Sequence, residues 1–318
     1  MDEENLRIRK ADRAQITVLA DNYTDVFLSS TEKVKRPPHM MEGNVLRGLL
    51  ADHGFSILVE VFEGSNQHRL LFDTGHADVV VPWNVESLGI CLQTVEAVAI
   101  GHGHHDHFGG LIRLYKDGLI PRTASLHVHP EVFSQRFIDL RDEGWARMPQ
   151  LTKTPLNYLG VKINENKSPS LLASGLTLLT AEVERVTDFE RGFPPGRRFE
   201  DGEIKLDTMI RDEQALILNV KNKGLVIISS CGHPGIINTI LYARRLAGKH
   251  KAYFVIGGFL LTGKIFEPVT EPTIGEMKKL DPEMLGACHS TGWKAINRFA
   301  AEMPDQFVLN SVGTRYVL

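Results

Sequence analysis

Cysteine is scarce in this chain of 318 residues, which carries only Cys91, Cys231 and Cys288. An odd and sparse set excludes a disulfide-stapled secreted scaffold and points to a reducing compartment, the cytoplasm. Long apolar runs are missing as well: no stretch approaches the ~20 consecutive apolar residues that a membrane helix requires. The opening Met1-Asp2-Glu3-Glu4 lacks the apolar segment of a signal peptide. Neither sign of charge dominates, since 36 Lys and Arg against 39 Asp and Glu leave a formal charge of −3. That balance excludes the basic footprint of a nucleic-acid binder. The short runs Arg197-Arg198 and Lys221-Asn222-Lys223 read as solvated loops. Short repeats and low-complexity segments are absent too.

What remains is an ordinary globular composition, 42% hydrophobic and 24% charged. Apolar, β-branched runs alternate with helical patterns, which argues for the α/β class. Strands are expected at Ile16–Leu19, Phe55–Phe62, Arg69–Phe72, Val95–Ile100, Leu126–His129, Ala215–Val220, Gly224–Ser229, Tyr253–Ile256 and Leu285–Cys288, with Phe307–Leu309 and Arg315–Val317 closing the sheet. Helices are expected from His107 through Tyr115, over Pro130–Leu140 (proline in the first turn), Pro234–Ala247, Ile274–Leu280 and Gly292–Ala301. Regularity fades between about 140 and 212, where prolines and Gly192-Phe193-Pro194-Pro195-Gly196 interrupt the pattern. This region reads as an insertion, with a strand such as Leu176–Val183, that shapes access to a site on a single domain spanning residues 1–318.

The richest segment is His102-Gly103-His104-His105-Asp106-His107, directly after the strand that ends at Ile100. His102 and His104 are two apart, so an extended backbone points both to one side. Asp106 and His107 come next, where the chain turns into a helix. Imidazole and carboxylate suit zinc, and manganese or iron fit the same donors. Two further histidines, His233 in Ser229-Ser230-Cys231-Gly232-His233-Pro234-Gly235 and His289 in Ala287-Cys288-His289-Ser290-Thr291-Gly292, stand at strand ends before helices. Open α/β sheets place their sites there. Asp73 ends a strand in Asp73-Thr74-Gly75. Cys231 and Cys288 flank the histidines, but strand alternation turns a neighbour to the other face, so both read as buried structural thiols rather than ligands.

The HxHxDH spacing resembles the metallo-β-lactamase superfamily. The resemblance implies an αββα sandwich of two mixed β-sheets flanked by helices, and one or two divalent metal ions. It implies that His102, His104 and His233 hold one ion, and that Asp106, His107 and His289 hold the second. His105 is then a non-ligand, and Asp73 orients the ligand loop by hydrogen bonds. Binuclear relatives use an acidic bridging ligand between the third and last histidines. No motif for it is present, and Asp281 reads as a helix cap or turn residue.

Further segments resemble one branch, that of dihydropterin ribofuranosyl-aminobenzene phosphate synthase. They are Asp21-Asn22, His53-Gly54-Phe55-Ser56, Asp212-Glu213-Gln214, Cys231 to Gly235 with Ile236-Ile237-Asn238-Thr239-Ile240, and His289-Ser290-Thr291-Gly292, together with Glu182 to Glu190. The likeness runs from about residue 16 to 296. One departure stands out: the branch is expected to carry Gly-Gly-Phe-His where this chain has Gly257-Gly258-Phe259-Leu260.

Such ions lower the pKa of bound water from ~15.7 towards ~7 and polarise carbonyl or phosphoryl oxygens. The leading expectation is a metal-dependent hydrolase acting on an ester, amide or phosphoester of a small molecule, with Asp106 orienting the nucleophile. The branch implies instead a condensing transferase that displaces a leaving group. A non-catalytic metal-binding or sensor protein is the third reading. His53 and Asp21 are candidates for substrate or proton handling, or else turn and capping residues. Arg185, Arg191, Arg197 and Arg198 meet an anionic substrate if they face the site, and otherwise line a solvated loop. The expected partner is a small molecule, not nucleic acid or membrane, and self-association stays open.

Overall fold

The computed structural model describes residues 7–41, 43–45, 47–248 and 250–318, without the side chain of 142. The opening Met1-Asp2-Glu3-Glu4 lies outside the described residues. Two large mixed sheets pack face to face. The first, of eight strands, runs in the order Ile163–Glu165, Ser125–Val128, Ala97–Ala99, Asn66–Phe72, Ser56–Glu63, Arg13–Ala20, Arg315–Val317 and Val34–Lys35. The second runs Ser170–Leu172, Thr177–Leu179, Leu216–Val220, Gly224–Ser229, Ala252–Gly258 and Met284–Cys288, with Lys10–Ala11 pairing in parallel with Leu216–Val220. Ile16, Val18, Ile57, Val59 and Phe72 from one sheet meet Leu216, Leu218, Val226, Ile228, Phe254 and Ile256 from the other in one dry layer. These strands are buried on both faces, which is why they read as continuous apolar runs.

Helices cover the outer faces. Val80–Ser87 and Leu111–Lys116 pack Val81, Val85, Leu111 and Leu114 on the first sheet. Ile236–Leu246, Thr270–Leu280 and Trp293–Glu302 pack Ile236, Ile240, Ile274, Met277 and Phe299 on the second. The layering is αββα, as the sequence resemblance implied. Among the described residues no helix is long and apolar enough to cross a membrane.

Some local expectations change: the strand expected at Val95–Ile100 shortens to Ala97–Ala99, and the helix expected from His107 through Tyr115 divides into His105–Phe108 and Leu111–Lys116. Pro130–Leu140 is not one helix: a 3-10 turn covers Pro130–Phe133, and a strand covers Arg136–Asp139. The strand forms because Arg136 is drawn inward to buried carboxylates and its backbone pairs with Gly196–Glu200. Phe307–Leu309 makes a single bridge to Leu285 rather than a strand. The expected strand Leu176–Val183 shortens to Thr177–Leu179. Within 140–212, Trp145–Arg147, Gly196–Glu200 and Glu203–Leu206 join Arg136–Asp139 in a separate four-stranded sheet, whereas Ile163–Glu165, Ser170–Leu172 and Thr177–Leu179 extend the two main sheets.

Candidate metal centre

The strand Ala97–Ala99 ends just short of the histidine loop, and three hydrogen bonds shape that loop. Gly101 N–H donates to Asp73 Oδ1 at 2.6 Å, Gly103 N–H to Asp212 Oδ2 at 2.7 Å, and Gln214 Nε2 to the Ile100 carbonyl at 2.9 Å. Both glycines are required by close approach. A Cβ on Gly101 would lie 2.2 Å from Ser230 Oγ, and one on Gly103 would lie 2.4 Å from the Val132 carbonyl oxygen. His104 is extended, and the short helix His105–Phe108 starts after it. His102 and His104 therefore project from extended chain, and Asp106 and His107 from the first helical turn. His105 points away and packs edge-on against His76.

His233 and His289 arrive from the second sheet, after the strands Gly224–Ser229 and Met284–Cys288. The ligand atoms of His102, His104 and His233 lie within 4.8 Å of one another, as do those of Asp106, His107 and His289. All six sequence-predicted candidates converge. His107 Nε2 and His289 Nε2 are 3.2 Å apart, and Asp106 Oδ2 lies 3.5 and 3.4 Å from them. Two nitrogens each ~2.0–2.1 Å from one tetrahedral ion would be about 3.3 Å apart, so this edge fits a shared cation. His102 Nε2 is buried without a hydrogen-bond partner. A buried polar atom left unpaired is costly, and a bound cation removes that cost. The donor set fits a divalent metal.

Electrostatics agree with that fit. Burial drives the His102 and His104 imidazoles well below their ordinary range, and neighbouring histidines add to the effect. Both are therefore neutral, the form that binds metal. Burial opposes protonation of His107 as well, but Asp106 and Asp73 outweigh it and hold that ring well above its usual value. Two anions beside one imidazole mark a place built for positive charge.

Hydrogen bonds behind the ligands fix their orientation. His107 Nδ1 donates to Asp73 Oδ2 at 2.7 Å. Ser230 Oγ donates to the same oxygen at 2.6 Å. Asp73 sits at φ 59°, a left-handed conformation unusual for a non-glycine residue. His233 Nδ1 donates to Glu213, which also accepts the N–H groups of Cys231, Gly232 and His233. Asp212 accepts a bidentate pair from Arg136, whose Nε reaches Asp207 at 2.8 Å. Glu213, Arg136 and Ser230 escaped the sequence reading. Asp212-Glu213-Gln214 is visible as a motif, but nothing local tells that Asp212 and Glu213 grip two different ligand loops.

The other candidates fall around this core. His53 stacks on His289 with ring centroids 5.1 Å apart, and its Nε2 is 3.8 Å from Asp106 Oδ2. It is largely exposed and stands at the rim. Asp21 is buried. One of its oxygens accepts the His289 N–H and the other Asn310 Nδ2, so it holds the backbone of a ligand residue. Asn22 donates to the His289 carbonyl. Cys288 is buried. Cys231, by contrast, lies among the ligand atoms, within 4.8 Å of those of His102 and His107. Of the four arginines, Arg197 pairs with Asp139, Arg198 with Glu131 and Glu200, and Arg185 bonds the Met209 carbonyl. Arg191 borders a cavity beside His233 whose apolar wall includes Phe189, Phe259, Leu260, Leu261 and Phe266. Phe193 packs on His104, His233 and Phe266 at the edge of the centre.

No family model matches the chain. It is 32% identical over 260 residues to the 7,8-dihydropterin-6-methyl-4-(β-D-ribofuranosyl)-aminobenzene-5'-phosphate synthase of Methanocaldococcus jannaschii, covering 81% of this chain and 87% of the synthase. An uncharacterized protein of the same organism is 25% identical over 279 residues, covering 86% of this chain and 96% of its own. Among solved structures, a metal-dependent hydrolase of the β-lactamase superfamily superposes with a TM-score of 0.69 at 24% identity, over 95% of this chain and 98% of that one.

Proposed function

The chain belongs to the dihydropterin ribofuranosyl-aminobenzene phosphate synthase-like branch of the metallo-β-lactamase superfamily, and from that premise we propose that it is a metal-dependent enzyme that hydrolyses a small organic substrate. His102, His104 and His233 would hold one divalent ion, and Asp106, His107 and His289 a second, zinc being the best match to the donors. When bound, such ions supply an activated water and a Lewis acid at neutral pH.

The observation that carries the hydrolytic reading is the position of Asp106. Its carboxylate lies against His107 and His289 yet keeps access to solvent at the rim, with His53 opposite. In this reading Asp106 would orient the attacking water. His53 stands where a proton leaves for solvent. Asp73 and Glu213 accept Nδ1–H from His107 and His233, which fixes both rings and turns their Nε2 atoms toward an ion. Asp21 fixes His289 through its backbone. The substrate's apolar part would rest in the cavity beside His233, where Phe259 and Phe266 shed water and Arg191 offers a positive rim for an anionic group. Three cysteines without a disulfide suit a cytoplasmic setting.

A second reading, condensation of the synthase type, is favoured by the identity that spans most of the archaeal synthase. Against it stands Leu260, which puts an apolar side chain in the cavity wall where the branch is expected to carry an imidazole. The metal-loaded protein should be offered esters, lactones and phosphodiesters, and in parallel a dihydropterin pyrophosphate with its aminobenzene co-substrate. Turnover of a hydrolytic substrate that stops on chelation is the expected result. Silence on all of them, with consumption of the pterin, overturns the hydrolytic reading.

A further inference from the structure

We propose that Cys231 is itself a metal ligand, its thiolate shared between the two ion positions in the place where the sequence offers no bridging acid; this rests on the metal-centre reading above. Three groups of side chains have ligand spacing among the described residues. Two are the sets already named. The third is His102, His107 and Cys231, and it draws one histidine from each of the others. The sulfur therefore sits between the two sets.

The residue is held in that position from both sides. Its N–H donates to Glu213 at 2.9 Å, and its carbonyl accepts Ser290 Oγ. Gly232 comes next at φ +90°, and a Cβ there would lie 2.8 Å from the Gly258 carbonyl oxygen. Cys231 and His233 stand two apart around that glycine, and both reach the site. A second observation is independent of the thiol: His102 Nε2, in the same group, is buried with no partner. Among the described residues no carboxylate other than Asp106 belongs to these groups. Asp281, the acid that precedes His289, closes the helix Thr270–Leu280 at φ 44° and faces Lys251 at 3.5 Å, away from the centre.

Binding breaks the S–H bond heterolytically. The proton goes to solvent, the sulfur keeps the electron pair and forms the bond to the ion, and nothing is oxidised or reduced. A soft thiolate between the sites selects zinc or cobalt over magnesium and calcium.

Cobalt(II) substitution of the full-length protein, with elemental analysis of each sample, tests the idea. The parent should show an intense near-ultraviolet thiolate-to-cobalt band, and so should Cys288→Ser and Cys91→Ser. Cys231→Ser should lose the band and its second equivalent of ion, or bind it about tenfold to a hundredfold more weakly. Cys231→Asp should regain that equivalent without the band. If Cys231→Ser does not fold, a band in both other cysteine variants still assigns the sulfur, because only three cysteines exist. Parent protein that carries cobalt but shows no thiolate band overturns this proposal alone. Parent protein that takes up no cobalt overturns the metal centre and the shared thiolate together.

Discussion

Glu213→Gln isolates what orientation contributes to this centre. Glu213 Oε1 accepts the N–H groups of Cys231 and Gly232, and Oε2 accepts the N–H and Nδ1–H of His233. The carboxylate is buried, and these four donors surround it. Glutamine has nearly the same shape but only one oxygen. With that oxygen left on Cys231 and Gly232, the new NH₂ faces two donors of His233. Two charge-assisted bonds at roughly 1.5–3 kcal/mol each are lost or inverted. The imidazole can relieve half of the clash by moving its proton to Nε2, the atom that should face the ion. The fold should lose about 2–4 kcal/mol in this variant. Zinc affinity should fall by about tenfold to a hundredfold, which is about 1.4–2.7 kcal/mol. Competition against a chromophoric chelator reads the affinity, and melting with and without zinc reads the linkage. Unchanged affinity, with the same zinc-induced rise in melting temperature as the parent, would refute the claim that Glu213 sets the ring of His233.

His104→Ala should abolish metal-dependent turnover while far-ultraviolet circular dichroism stays native, and full activity in that variant would reject the site. Arg136→Met should destabilise the protein by about 3–5 kcal/mol in urea titrations, because Asp207 and Asp212 are then buried without their cation. A cost within experimental error would show that the two acids find other partners. His127 makes acid destabilisation partly traceable to one ring. Burial, with help from Lys162, depresses its pKa to about 4, against an unfolded value near 6.5. Its folded form stays neutral while the unfolded form protonates, so its share of stability is intact above about pH 6.5 and drains away as pH falls towards 4. Allowing for its partial exposure, that share is about 2 kcal/mol. In His127→Gln, the stability gap between pH 7 and pH 4.5 should narrow by about that amount, and an unchanged gap would assign the loss elsewhere.

Local signals in the sequence survive into the structure, and signals that depend on distant partners do not. The His102–His107 loop is legible because its four donors come after one apolar run, and strand, turn and helix start are short-range events. His233 and His289 are legible for the same reason. Arg136 is not: a proline in the first turn and mixed polarity after it look helical, and only the carboxylates of Asp207 and Asp212, more than 70 residues on, make a buried strand of it. The facing of Cys231 is misread because the alternation rule for a direct neighbour, which fits Cys288 beside His289, does not apply to a residue two places before His233. The strand Gly224–Ser229 ends before Cys231, and the sulfur lies among the ligand atoms of His102 and His107.

The same contrast explains why Asp212-Glu213-Gln214 exists as a unit. Asp212 holds Gly103 in the loop from the first sheet, and Glu213 holds the 231–233 loop from the second. Gln214 bonds the Ile100 carbonyl and then leads into the strand Leu216–Val220. Three successive side groups thus set the separation of two ligand loops that belong to different sheets. A centre divided between two layers is only as well defined as the layers' mutual position, and packing of apolar strands fixes that position more loosely than a ligand shell demands. Arg136 ties the four-stranded sheet to the same joint through Asp212. The four-stranded sheet and the ligand loop are therefore anchored on one carboxylate, so a change that loosens Asp212 should disturb metal binding and the packing of that sheet together rather than one without the other.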